Sequence, residues 1–142
     1  MKHNLIFICT GNSCRSQIAE GLLKDEAEHK FNVYSAGSHP SKIHPAAIKV
    51  MAEWGIDISN QKSEEIDKYL NKQIDIVVTV CDNANKSCPS FASGKIRIHW
   101  SIKAPFVNWG DDEKDLDPYR LARNEIKDKI KTLLQQKDIT NL

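Results

Sequence analysis

The strongest constraint on this chain is a junction near its start. Leu5-Ile6-Phe7-Ile8 is a continuous apolar run, followed by Cys9-Thr10-Gly11-Asn12-Ser13-Cys14-Arg15-Ser16. A short unbroken apolar run suits a strand buried on both faces, as in a parallel sheet. Beyond the junction, Ile18, Ala19, Leu22, Leu23 and Ala27 fall on one face of a predicted helix over 16–30. The residues between must turn the chain from strand to helix in one tight loop.

Such a loop makes an oxyanion cradle. Its N–H groups point inward, and the helix behind adds the positive end of its dipole. Thr10, Gly11, Asn12, Ser13, Cys14, Arg15 and Ser16 are therefore the expected oxyanion-binding residues. Arg15 can grip two oxygens of a tetrahedral anion with its planar fork. Cys9 is the expected nucleophile, and the same field is expected to depress its pKa. Ser16 is expected to assist with a hydroxyl hydrogen bond to the Cys9 thiolate, or to cap the helix. Gly11 is expected to supply the turn's backbone freedom. The plainer alternative is a buried structural cysteine beside a surface arginine. A nucleotide-binding P-loop is excluded, because no Gly-Lys-Ser/Thr ends the motif.

The rest of the chain alternates strands and helices. Further strands are predicted at 32–35, ended by Gly37, at 75–80 and at 95–100. A helix is predicted over 45–54, with Ile48, Met51 and Ala52 inward and Gly55 as its stop. Another opens at Ser63 as N-cap and runs to about 71. A last one covers 118–135, with Tyr119, Ala122, Ile126, Ile130 and Leu133 on one face. Residues 81–94 read as polar loop and 101–116 as a long irregular segment. Trp54 and Trp100 are expected in the core, and Trp109 over the long segment.

This order implies an α/β three-layer sandwich: a four-stranded parallel sheet with helices on both faces, as one domain over 1–142. Ligands of such sheets bind beyond the carboxyl ends of the strands. Cys9 and Cys81 both follow such an end, so two sequence-distant thiols can meet in one crevice.

Charge narrows the function. Lys and Arg number 20 against 19 Asp and Glu, a net charge of +1. That balance argues against a nucleic-acid or membrane partner. No apolar run approaches spanning length, and Met1-Lys2-His3-Asn4 runs straight into the first strand without a leader's cleavage region. A cytoplasmic protein is expected. There, four cysteines read as catalytic or redox groups before they read as a disulfide framework.

The second informative stretch is Cys81-Asp82-Asn83-Ala84-Asn85-Lys86-Ser87-Cys88-Pro89. One attacking thiol plus two resolving thiols is what reduction of an oxyanion needs. Two alternatives remain: buried apolar fillers, or zinc ligands. The gap is unlike common zinc spacings and no nearby histidine completes a set. Cys14 reads as non-catalytic packing.

Several further motifs join these. They are Phe7 to Gln17 with Ala19-Glu20-Gly21, Val33-Tyr34-Ser35-Ala36-Gly37, and Gly55-Ile56-Asp57-Ile58-Ser59. Val77 to Asp82 with Cys88-Pro89, Ile98-His99-Trp100 and Arg123-Asn124-Glu125-Ile126 complete the set. Together they resemble the low-molecular-weight tyrosine phosphatase family, and within it the thioredoxin-coupled arsenate reductases. The resemblance implies that Cys9 attacks arsenate and that Cys81 attacks the Cys9–arsenic adduct, releasing arsenite. Cys88 then leaves a Cys81–Cys88 disulfide for thioredoxin to reduce. It also implies a potassium ion held by Asn12, Glu20, Ser35 and Glu64, with no tightly bound cofactor besides. A monomer is expected.

One departure stands out. Members of the family usually carry an aspartate as general acid where His99-Trp100-Ser101-Ile102-Lys103 leads into Ala104-Pro105. Ala104 cannot transfer a proton. Asp111, Asp112 or Asp117 could substitute, or water could supply the proton. Asp117-Pro118 also reads as a helix start. Two other functions therefore stay open: a phosphatase of phosphate monoesters, and a catalytically weak oxyanion or redox sensor.

Overall fold

The computed structural model describes residues 2–87 and 96–136. Its frame is a four-stranded sheet of β1 (His3–Cys9), β2 (Phe31–Gly37), β3 (Ile76–Thr79) and β4 (Ile96–His99). All neighbours pair parallel, in the order β2-β1-β3-β4. The two inner strands are the most apolar segments of the chain, and Leu5 to Ile8 and Ile76 to Val78 are buried. Strands wrapped on both faces must be of this kind.

The helices are α1 (Arg15–Ala27), α2 (Pro45–Ala52), α3 (Asp82–Ser87) and α4 (Asp117–Gln135), with 3-10 turns at Ile66–Tyr69 and Glu113–Asp115. The β1–β2 and β3–β4 crossovers run in opposite directions across the sheet. Right-handed connections therefore place α1 and α3 on opposite faces. The result is the expected three-layer α/β sandwich. Helix α4 packs on α1 and α2, burying the stripe from Tyr119 to Leu133.

Three local expectations change. No α-helix forms over 63–71, only the short turn at Ile66–Tyr69. The Ser63 hydroxyl donates to Asn12 O (2.5 Å) and Glu64 N to Asn12 Oδ1 (2.8 Å), so this stretch serves the cradle instead of starting a helix. Residues 82–87, expected as loop, are helical. In α2 the inward residues are Ala46, Ala47, Val50 and Met51, while Ala52 is exposed. The helix stops earlier than expected, in a turn completed by Gly55 at φ +75°.

Trp100 is buried as expected, but Trp54 is 41% exposed. It lies on the Arg123 guanidinium, 3.9 Å from the ring centroid. That cation holds the ring at the surface. Among the described residues, no helix is long and apolar enough to cross a membrane.

Candidate active site

Parallel pairing places both leading thiols at one edge. Ile8 of β1 lies opposite Thr79 of β3, and Val80 N donates to Ile8 O (2.9 Å). Cys9 and Cys81 thus leave neighbouring strands at the same carboxyl end. Both are buried.

The loop after Cys9 is held from outside by its carbonyls. Thr10 O accepts from His39 N (2.9 Å), Gly11 O from Ser41 N (3.1 Å) and Ser13 O from His44 N (3.0 Å). Cys14 O accepts from Ile18 N (2.9 Å). Asn12 O accepts from Gln17 Nε2 (3.0 Å) and the Ser63 hydroxyl. In a planar trans peptide the N–H points opposite its carbonyl. Five carbonyls turned outward therefore turn the N–H groups of residues 11–15 inward.

The turn's strained residue is Asn12, at φ 45°, instead of Gly11. Asparagine tolerates this region better than most residues. Its buried amide is fully used, with Nδ2 donating to Ser16 Oγ (2.7 Å) and Ser35 Oγ (3.0 Å). Ser16 therefore braces Asn12 and provides no side-chain helix cap. Gly37 lets β2 lie against the loop, because a Cβ there would fall 2.8 Å from Cys9 O and 2.9 Å from Asn12 N.

The cradle opens into a cavity of 190 Å³ whose walls include Cys9, Ser13, Arg15, His44, Phe106 and Trp109. Ser13 Oγ is the one buried side-chain polar atom without a hydrogen-bond partner among the described residues. A ligand oxygen would satisfy it. Arg15 donates from Nη1 to Ile102 O (2.8 Å) and has further donors for an anion. A neighbouring crevice of 330 Å³ joins Arg15 to Thr10, Cys81, Asp82 and Ala104.

The two thiols divide their charge against expectation. The hydrogen bond with Cys81, together with burial, pushes Cys9 well above its ordinary value; Arg15 only partly opposes this. The same bond lowers Cys81 despite burial, helped by Thr10 Oγ1 (3.6 Å), Ala84 N (3.4 Å) and the Arg15 charge. The bond between the thiols thus favours the proton on Cys9 and the charge on Cys81. A neighbouring thiol as acceptor outweighs the cradle's field, and single-motif reasoning missed that coupling. Burial pushes Cys14 up to about 12, which suits inert packing. Cys88 lies outside the described residues.

Asp111, Asp112 and Asp117 line neither cavity. Asp117 is the first residue of α4, follows Leu116 as N-cap and binds Arg120 Nη1 (2.9 Å). Asp82 is the carboxylate in the crevice wall. Bonds from His99 (2.9 Å) and Ser101 (2.9 Å) lower its pKa, which leaves it ionised and unsuited to give a proton.

The residues expected to hold potassium do come together, but with their donors committed. Ser35 Oγ donates to Glu20 Oε1 (2.5 Å), and Lys24 Nζ binds Glu20 Oε2 (2.6 Å). Lys68 Nζ lies 3.1 Å from Glu64 Oε2. Asn12 turns N–H groups, not its oxygen, toward Ser35. In this arrangement Lys24 and Lys68 supply the positive charge beside the two carboxylates. Among the described residues, no three His, Cys, Asp or Glu side chains gather as a metal site.

A cysteine and an arginine across a helix-capped cradle, on this sheet order, define a class. The chain belongs to the low molecular weight phosphotyrosine protein phosphatase family, which matches residues 4–140. Its similar relatives within that class carry a narrower name. An arsenate reductase of Halalkalibacterium halodurans is 44% identical over 134 residues, covering 94% of this chain and 96% of the relative. A solved arsenate reductase in a phosphate-binding state superposes with a TM-score of 0.80 at 34% identity, covering 94% of this chain and 97% of the other. A thioredoxin-dependent arsenate reductase of Corynebacterium glutamicum gives 0.68 at 29% identity, covering 95% of this chain and 64% of the other.

Proposed function

We propose that this chain is an arsenate reductase whose Cys9, Cys81 and Cys88 form a relay recharged by thioredoxin. One observation carries the reading: a second thiol, Cys81, leaves the neighbouring strand at the same carboxyl end and faces the cradle cysteine, with which it shares a hydrogen bond. Hydrolysis of a phosphate ester needs Cys9 alone. The relatives named above support the same reading.

Arsenate binds on the inward N–H groups and Arg15. The proton of the pair passes from Cys9 to Cys81. The Cys9 thiolate then attacks arsenic, an As–O bond breaks, and the departing hydroxyl takes the proton from Cys81 and leaves as water. Cys81, ionised again, attacks the Cys9 sulfur. An S–S bond forms, the S–As bond breaks, and its electron pair stays on arsenic, taking As(V) to As(III). Arsenite leaves. Cys88 attacks the Cys81 sulfur, frees Cys9 and leaves a Cys81–Cys88 disulfide. The dithiol of thioredoxin reduces that bond by the same exchange.

The test is arsenate-dependent oxidation of reduced thioredoxin, run beside a phosphate-ester assay. Cys88→Ser is expected to perform at most one reduction and to trap a Cys9–Cys81 bond, identified by mass spectrometry of the linked peptides. Undiminished multiple turnover in Cys88→Ser, with thioredoxin as sole donor, would rule the relay out.

A further inference from the structure

His44 is fully buried and touches more of the site's surroundings than any motif suggests. Its backbone N–H holds Ser13 O in the cradle. Its Nδ1 accepts from Ala46 N (3.0 Å), capping α2. That bond leaves the ring proton on Nε2, which donates to Asn108 O (2.5 Å) and lies 3.0 Å from Tyr119 Oη. Burial lowers its pKa, which keeps the ring in this neutral form.

The ring is also the centre of an aromatic cluster. Trp109 stacks on it at 5.1 Å between centroids and 16° between planes, and Phe106 meets it edge-on at 5.5 Å. Lys42 covers the Trp109 ring at 4.9 Å. Phe106 and Trp109 line the cradle cavity and are themselves about half exposed to solvent. Residues 106–109 thus make an aromatic strap over its mouth, and His44 is what fastens the strap to the cradle.

We propose that His44 is a positioning residue: its Nε2 contact pins this strap over the cradle and sets how well an oxyanion fits beneath it. The proposal rests on the cradle being the oxyanion site. An alternative role is a helix cap and nothing more. The two nitrogens separate these roles. An asparagine oxygen can reach Ala46 N, whereas only a glutamine amide extends to Asn108 O.

The experiment compares His44→Asn and His44→Gln with the wild type in the full chain, reading three quantities. These are the KM for arsenate, protection of Cys9 from alkylation by inorganic phosphate, and acrylamide quenching of Trp109, taken by difference from Trp109→Phe. In His44→Asn, melting is expected near the wild-type value. KM and the protecting phosphate concentration rise about tenfold, as for a displaced positioning group. Trp109 becomes more accessible, and kcat changes less than KM. His44→Gln is expected to melt lower yet recover part of the affinity. If His44→Asn does not fold, Trp109→Leu reads the same contact from the strap's side and is expected to raise KM alike. A folded His44→Asn with unchanged KM, protection and quenching overturns the proposal, as does an unchanged KM in Trp109→Leu. A wild type that phosphate does not protect overturns the cradle reading, and the quenching comparison still decides whether His44 holds the strap.

Discussion

Ser13 is half-buried, yet its hydroxyl is shielded from solvent without a partner among the described residues. Such a group typically costs about 1–3 kcal/mol. Ser13→Ala is therefore expected to hold or raise thermal stability without anion, and to weaken phosphate protection of Cys9. Equal protection in both proteins would place the hydroxyl outside the anion site. At Cys9 the decisive neighbour is Cys81. Removing that acceptor takes away the main influence raising the Cys9 thiol. In Cys81→Ala the midpoint of Cys9 alkylation is expected to move to lower pH than in the wild type, as followed by peptide mass spectrometry. Cys9 and Arg15 were legible in the sequence because their spacing carries the chemistry. The sharing of one proton was not, since it depends on a strand pairing that brings residue 81 to residue 9.

Among the elements, the segment between β4 and α4 carries the family's missing acid. Ala104 borders both the cradle cavity and the crevice at Cys81, and it is exposed. An aspartate fits there without displacing the core. Ala104→Asp is expected to raise turnover about tenfold, the lower part of the general-acid range, with little change in anion affinity. Steady-state kinetics beside phosphate protection separates the two. Strands and the long helix were readable because burial imposes a simple pattern on them, as in Leu5 to Ile8 and the stripe of α4. Residues 63–65 misled because Ser63 has the local signature of an N-cap, and the cradle claims that hydroxyl instead. Helix α3 escaped notice because it is short and polar, with no apolar period to reveal it. The fastening of the strap to His44 joins residues 44, 106, 108, 109 and 119, and no window along the chain contains that set.

At the scale of the molecule, α2 and α4 are joined by Glu53. Its carboxylate receives Arg120 Nη2 (2.6 Å) and Arg123 Nη1 (2.7 Å), and Arg123 also reaches Val50 O (2.8 Å). These bonds lower Glu53 from the ordinary 4.5 to about 2. A carboxyl lowered on folding stabilises above its unfolded value, and that stabilisation is lost as pH falls from about 4.5 through about 2. Solvent reaches the pair, so the contribution is about 1 kcal/mol or less. Chemical denaturation against pH is expected to show a steeper loss below 4.5 in the wild type than in Glu53→Gln. Parallel curves would remove Glu53 from the acid response.

The outward carbonyls of the cradle also make its occupancy visible at a distance. His39, Ser41 and His44 each give their backbone N–H to the loop from beyond it. An anion that stiffens the loop must slow the opening of these bonds. Their amide hydrogen exchange is therefore expected to slow in phosphate although none of the three N–H groups touches the anion. The chain carries its own gauge of whether the cradle is filled, readable without label or turnover.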